Sequence, residues 1–193
     1  MSNQLWVLGI GSIVAKESAE KTVRREISKD DFHPVEVRGY SREWTAAGGE
    51  IKYHQVNGKE FPGYITYLNM VHDVDASFNG IVFPLSQKEL KFFRKREHNY
   101  DMIDVSTSIL SNVTIEGTVY GFSASDASLT RYANGLATVK NRGICICKEY
   151  MEKVEKAFES LGGDQLEKYK RTTKDPDPKM PILSLTIKNR IKH

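Results

Sequence analysis

Tyr64-Ile-Thr-Tyr-Leu-Asn-Met-Val71 and Phe78-Asn-Gly-Ile-Val-Phe83 decide how this chain folds. Both runs are rich in β-branched and aromatic residues, which suit a pleated, half-buried surface. Only the turn-like Asp73-Val-Asp-Ala-Ser77 separates them, so they read as paired strands. Directly downstream, Pro84-Leu-Ser-Gln-Lys-Glu89 supplies a helix start, with Ser86 as N-cap and Glu89 completing a capping box. Leu90 and Phe93 give this helix its buried face, and it ends near Glu97.

Upstream, Pro34 to Tyr40 alternates like a half-buried strand that continues through Arg42-Glu-Trp-Thr45 past Gly39. Residues 46–63 are glycine-rich and read as a long loop or loose hairpin, a length more often functional than idle. Leu5-Trp-Val-Leu8 is a short buried strand ending at the permissive loop Gly9-Ile-Gly-Ser12. Ala19, Val23 and Ile27 then mark a narrow apolar stripe on a helix from about Lys16 to Ile27. Beyond Glu97, strands are expected over Met102–Val105, at Ile109 and over Val113–Phe122, the last of them central. A third helix follows over Lys148–Leu161, stopped by Gly162-Gly163, and the remainder reads as linker and tail. Short strands with few helices and no strict β-α-β alternation predict an α+β fold, a small mixed β-barrel with flanking helices.

The chain has 193 residues, enough for one domain with a sizeable core, here 1–163, followed by a basic extension over 164–193. With 39% hydrophobic and 27% charged residues and no apolar run near the roughly 20 residues of a membrane span, a soluble cytoplasmic protein is expected. The amino-terminus has no secretory pattern, and two cysteines cannot build a disulfide framework. The net charge of +3 is uneven, because residues 165–193 carry +5. No helix-turn-helix, zinc-finger or RNP-type pattern accompanies that strip, so a nucleic-acid arm is not expected. Pro176, Pro178 and Pro181 break regular structure, yet Leu183, Leu185 and Ile187 resume a two-residue alternation. That pattern predicts docking as an edge strand, on the chain's own barrel or on a second copy in a homodimer, with Lys188, Arg190 and Lys192 as solvated flank.

Several chemistries can be set aside. His33, His54, His72, His98 and His193 are scattered, and Cys145-x-Cys147 lacks a second pair, so no metal site is expected and both cysteines read as small buried residues. Gly9-x-Gly11 lacks the third glycine of a dinucleotide loop, and Ile13-Val-Ala15 occupies the place where small residues are needed. Gly9-Ile-Gly-Ser-Ile13 is not a nucleophile elbow, so Ser12 is no nucleophile. The first loop could turn consecutive N–H groups on an anion or polarised carbonyl, or be an ordinary strand-to-helix turn. Glu97 follows Arg94, Lys95 and Arg96 at the carboxyl end of a helix, where the macrodipole disfavours a carboxylate. Such a local conflict points either to function or to a solvated residue paired with its neighbours.

Taken in order, these segments resemble the γ-glutamylcyclotransferase-like proteins, especially their ChaC-like branch. Ile10-Gly11-Ser12-Ile13 is similar to the family's Tyr-Gly-Ser-Asn/Leu, and Arg38-Gly39-Tyr40-Ser41-Arg42 to Arg-Gly-Tyr-x-Arg. Gly80-Ile-Val-Phe83-Pro-Leu85, Leu90 and Arg96-Glu97-His98-Asn99-Tyr100 resemble the strand, helix and Arg-Glu-x-x-Tyr that follow. Gly143 to Met151, continuing to Leu161-Gly162, is similar to a ChaC-like Gly-x-x-x-Glu-Tyr-Leu element and its helix, so the resemblance covers about residues 4–163.

The resemblance implies a small mixed barrel and a cofactor-independent reaction. The free α-amine of a γ-glutamyl group attacks its own side-chain amide, giving 5-oxoproline and a released amine or peptide, with glutathione the first substrate to consider. Because the nucleophile belongs to the substrate, the protein supplies positioning, a base and an oxyanion or carboxylate holder. Glu97 matches the catalytic glutamate, and its pKa should be raised toward neutrality by an apolar cleft. Ile10, Gly11, Ser12 and Ile13 match the loop holding the glutamyl part, and Tyr100 and Tyr120 are expected to line or close the pocket. Ile10 replaces the family's tyrosine and Ile13 its Asn or Leu, which removes a hydroxyl and an aromatic wall while leaving the backbone donors. A non-catalytic binding module on the same fold is the other function consistent with these residues.

Overall fold

The computed structural model describes residues 4–48, 53–55, 58–138 and 143–187. In chain order the elements are β1 (Leu5–Gly9), α1 (Lys16–Val23), β2 (His33–Gly48), β3 (Tyr53–Gln55), β4 (Glu60–Phe61), β5 (Tyr64–Leu85), α2 (Gln87–Arg96), β6 (Tyr100–Asp104), β7 (Ile109–Leu110), β8 (Thr118–Ala124), α3 (Asp126–Ala137), β9 (Ile144–Cys147), α4 (Lys148–Ser160), α5 (Gln165–Thr172), β10 (Ile182–Leu183) and β11 (Leu185–Ile187). Short 3-10 turns precede α1, β2 and β7.

Eight strands form one mixed sheet in the order β10-β9-β5-β1-β8-β6, with β2 on β5 and β7 on β2. The sheet curls into a half-barrel flanked by the five helices found among the described residues, an α+β architecture. The strand β5 is its spine. Its first half pairs with β9 and β2, and its second half with β2 and β1, so one 22-residue strand joins both ends of the sheet.

That continuity corrects the expected hairpin between Tyr64–Val71 and Phe78–Phe83. Asp73-Val-Asp-Ala-Ser77 contains no glycine or asparagine to take the positive φ of a tight two-residue turn. It stays extended, and both halves pair with β2 instead of with each other. The register slips where Arg38 faces Ser77 and Tyr40 faces His72. Gly39, at φ +78°, sits in this bulge, a conformation that costs glycine little.

Other boundaries moved for local reasons. The first helix stops at Val23 because Arg24 turns left-handed, at φ 63°. The Glu20 carboxylate then accepts the Ile27 N–H at 2.9 Å, and Ile27 is buried beyond the helix. The strand expected from Val113 begins only at Thr118, after Gly117 at φ +115°. Helix α3, which lies in a stretch not read as helical, is capped by the Ser125 hydroxyl on the Ser128 N–H. Its buried Ser128 hydroxyl bonds Ala47 twice, accepting its N–H at 2.9 Å and donating to its carbonyl at 3.2 Å. The expected cap on α2 is present, with Ser86 and Glu89 making both reciprocal bonds.

Residues read as linker and tail also fold onto the sheet. Tyr169 of α5 stacks on Phe158 of α4 at 4.6 Å, and Tyr169, Met180 and Leu185 are buried. Strand β10 adds parallel to β9, while β11 joins β3 and β4 in a second, three-stranded sheet. The flank formed by Lys188, Arg190 and Lys192, the last histidine and parts of the 46–63 loop lie outside the described residues.

Candidate functional site

Leu90 and Phe93 pin α2 to the core, with Phe93 fully buried 5.8 Å from the ring of Phe83. Glu97 stands four residues after Phe93 and therefore continues the same helical face inward. Its side chain is 19% exposed although it follows three basic residues. Opposite it, β1 ends at Gly9 and the chain turns through Ile10-Gly11-Ser12. Gly11 is needed here for space, since a Cβ would lie 2.6 Å from the Tyr150 hydroxyl oxygen.

Together these elements enclose a cavity of about 50 Å³ lined by residues 7–13, Leu68, Phe93, Glu97, Tyr100, Phe122 and Tyr150. Ser12, Glu97, Tyr100 and Tyr150 also line an outer cleft of about 440 Å³ that involves Tyr67, Arg96, Cys147, Glu149, Lys153 and Leu185. Glu97, Ile10, Gly11, Ser12, Ile13 and Tyr100 thus meet in one place. Tyr120 does not join them. It lies on the same face of β8 as Phe122 but two residues, about 6.6 Å, away, and packs half-buried against the main core.

Arg96, which the sequence presents in a basic run and as the arginine of the Arg-Glu-x-x-Tyr resemblance, without a role of its own, fixes the relative positions of the loop and the carboxylate. Its Nε donates to Glu97 Oε1 at 2.9 Å and its Nη2 to Ser12 Oγ at 3.0 Å. Further bonds reach Ser18 Oγ at 3.2 Å and Thr22 Oγ1 at 2.9 Å on α1. Burial raises the pKa of Glu97 and outweighs the lowering by the Arg96 charge and hydrogen bond. Tyr100 donates to the Leu68 carbonyl at 2.9 Å, and burial pushes its pKa well up, so it is a neutral wall and donor. Tyr150 is likewise kept neutral by burial and meets Tyr67 edge-on at 5.0 Å and Trp44 at 6.0 Å.

A carboxylate with raised proton affinity beside a mainly apolar cavity is equipped to take and return a proton. The Ser12 hydroxyl accepts from the Arg96 guanidinium, no hydrogen bond from it to a base is seen among the described residues, and burial raises the Cys147 thiol, so neither is an activated nucleophile. Among the described residues no group of His, Cys, Asp and Glu could hold a metal, and no helix is long and apolar enough to cross a membrane.

No family model and no curated protein matches this sequence. Solved structures do match in shape. A γ-glutamyl cyclotransferase specific to glutathione from yeast superposes with a TM-score of 0.56 at 13% identity, covering 89% of this chain and 98% of its own. Another γ-glutamyl cyclotransferase gives 0.55 at 10% identity, covering 91% and 90%. YkqA from Bacillus subtilis gives 0.57 at 15% identity over 88% of this chain, which spans 54%, about half, of YkqA. The chain therefore has the γ-glutamylcyclotransferase-like fold. At these identities the likeness is one of architecture.

Proposed function

We propose that this chain is a cyclotransferase that opens a γ-glutamyl amide by intramolecular attack, releasing 5-oxoproline and an amine or peptide. The observation that carries the reading is the half-buried Glu97 carboxylate, held by Arg96 where the inner cavity and the outer cleft share lining residues. The glutamyl part sits across the inner cavity and the adjoining end of the outer cleft, against the backbone N–H groups of Gly11, Ser12 and Ile13, with Ile10 and Tyr100 as walls. Folding the chain back brings the α-amine onto the side-chain carbonyl, and pre-positioning of this kind is worth several kcal/mol. The new C–N bond closes a five-membered ring, the proton lost by the amine passes to Glu97, and the departing nitrogen takes it back as the old amide bond breaks. Residues 1–163 carry this machinery, and the 164–187 extension closes the outer cleft through Leu185. Glutathione is the first substrate to test.

A non-catalytic binding module is the second reading, and Ile10 favours it by standing where the resemblance calls for a tyrosine hydroxyl. Incubation with glutathione, γ-glutamyl amino acids and γ-glutamyl-lysine, followed by assay for 5-oxoproline, separates the two. Release of 5-oxoproline is expected; a folded protein that releases none from any of them is not this enzyme.

A further inference from the structure

The outer cleft carries one cation that the described residues leave unanswered. Lys153 lies one turn beyond Glu149 on α4, so both face the cleft. Around them the other charges are committed. Arg96 is used on Glu97, Ser12, Ser18 and Thr22. The Glu149 carboxylate accepts the Ser184 hydroxyl, the Leu185 N–H at 2.9 Å and the Cys147 thiol at 3.3 Å, which seats Leu185 as a wall. Lys153 makes no hydrogen bond or ion pair among the described residues. Burial, Arg96 and Lys21 all work against its charge, with only Glu17 working for it. An ammonium at the rim of a cleft, among other cations, is a ready partner for a carboxylate brought by a ligand.

Its position says which carboxylate. Lys153 lines the outer cleft and not the inner cavity, whereas Glu97 lines both. If the glutamyl half is seated at the inner cavity and Glu97, as the proposed function has it, then whatever follows the scissile amide extends past Glu97 toward Lys153. We propose that Lys153 selects the leaving group by binding its free carboxylate, so that substrates are γ-glutamyl amino acids or short γ-glutamyl peptides and not γ-glutamyl derivatives of neutral amines. This rests on the cyclotransferase reading.

The test compares kcat/KM for γ-glutamyl-glycine, glutathione and γ-glutamyl-methylamide in the wild type, Lys153→Met, Lys153→Glu and Lys153→Arg, with thermal melts to establish folding. A charge-assisted contact of this kind predicts that the wild type favours at least one carboxylate-bearing compound over the methylamide by about 10-fold or more, chiefly through KM. The preference should fall toward unity in Lys153→Met, reverse in Lys153→Glu and return in Lys153→Arg. No preference in the wild type overturns the proposal while leaving the cyclotransferase reading intact. So does an equal loss on all three compounds, which would put Lys153 on the glutamyl half. If the wild type turns over none of them, the cyclotransferase reading fails, and calorimetric titration with γ-glutamyl-glycine and the methylamide decides the remainder. A binding preference that requires Lys153 keeps it as a carboxylate selector, and equal or absent binding removes it.

Discussion

At Glu97 two opposed effects meet, and their balance sets what the residue can do. Burial favours the protonated acid, Arg96 favours the carboxylate, and burial wins. For a proton acceptor the consequence has a definite sign: kcat/KM should fall as pH drops through a value above the ordinary 4.5 of a glutamate. Glu97→Gln keeps size and polarity but cannot accept the proton. It should lower turnover by about 10²–10⁴ while the melting temperature stays close to wild type, and retention of most of the rate would place the base elsewhere. Gly11 makes a different prediction. A methyl group there meets the Tyr150 hydroxyl at 2.6 Å, and that ring is boxed by Tyr67 and Trp44. Gly11→Ala should therefore cost about 1–3 kcal/mol by overpacking. Adding Tyr150→Phe, which removes the clashing oxygen, should recover part of that loss in denaturant melts.

Among the elements, the short strands β10 and β11 depend on one side chain of α4. Burial would raise the pKa of Glu149, but the Ser184 hydroxyl and the Leu185 N–H outweigh it and hold the group at about 2. A carboxylate depressed in the folded state adds stability that is fully present above its unfolded value near 4.5 and is lost as pH falls toward 2. Because Glu149 is exposed, screening discounts this to about 1 kcal/mol or less. The wild-type melting temperature should therefore drop between about pH 4.5 and 2, with Glu149→Gln lower at neutral pH and missing that component. Parallel pH profiles for the two proteins would refute the clamp. The element boundaries teach a related lesson. Ser86 with Glu89 and the pair Gly162-Gly163 mark helix ends through local bonds and dihedral angles, and the structure has both where the pattern puts them. Helix α5 carries no comparable cap, as Asp164 makes no side-chain cap bond, and its main signal is the stacking of Tyr169 on a distant phenylalanine.

Across the whole molecule, Arg42 ties the half-barrel to the carboxyl-terminal segment. Its guanidinium is fully buried without a carboxylate partner among the described residues, and burial lowers its pKa to about 9. Hydrogen bonds run to the Asn79 carbonyl at 2.6 Å, Asn79 Oδ1 at 3.0 Å, Thr173 Oγ1 at 2.8 Å and the Tyr169 carbonyl at 3.2 Å. The rings of Phe78, Phe158 and Tyr169 surround it at 4.5–5.2 Å. A lysine cannot reproduce that planar fork, so Arg42→Lys should destabilise by about 2–4 kcal/mol through unpaired buried acceptors. A melting temperature near wild type would show that α5 docks without this tie. The sequence by itself determined the features governed by neighbours along the chain: strand runs, the α2 capping box, the Gly162-Gly163 stop of α4 and the loop at Gly9 to Ser12. Glu97 was legible there as a carboxylate in a place its local surroundings disfavour. Tertiary structure alone decided that β5 is one strand and not a hairpin, that Arg96 joins Glu97 to Ser12, and that Tyr120 stands apart from the cavity. Each of these depends on contacts between residues far apart in the chain, which local propensity and spacing do not encode.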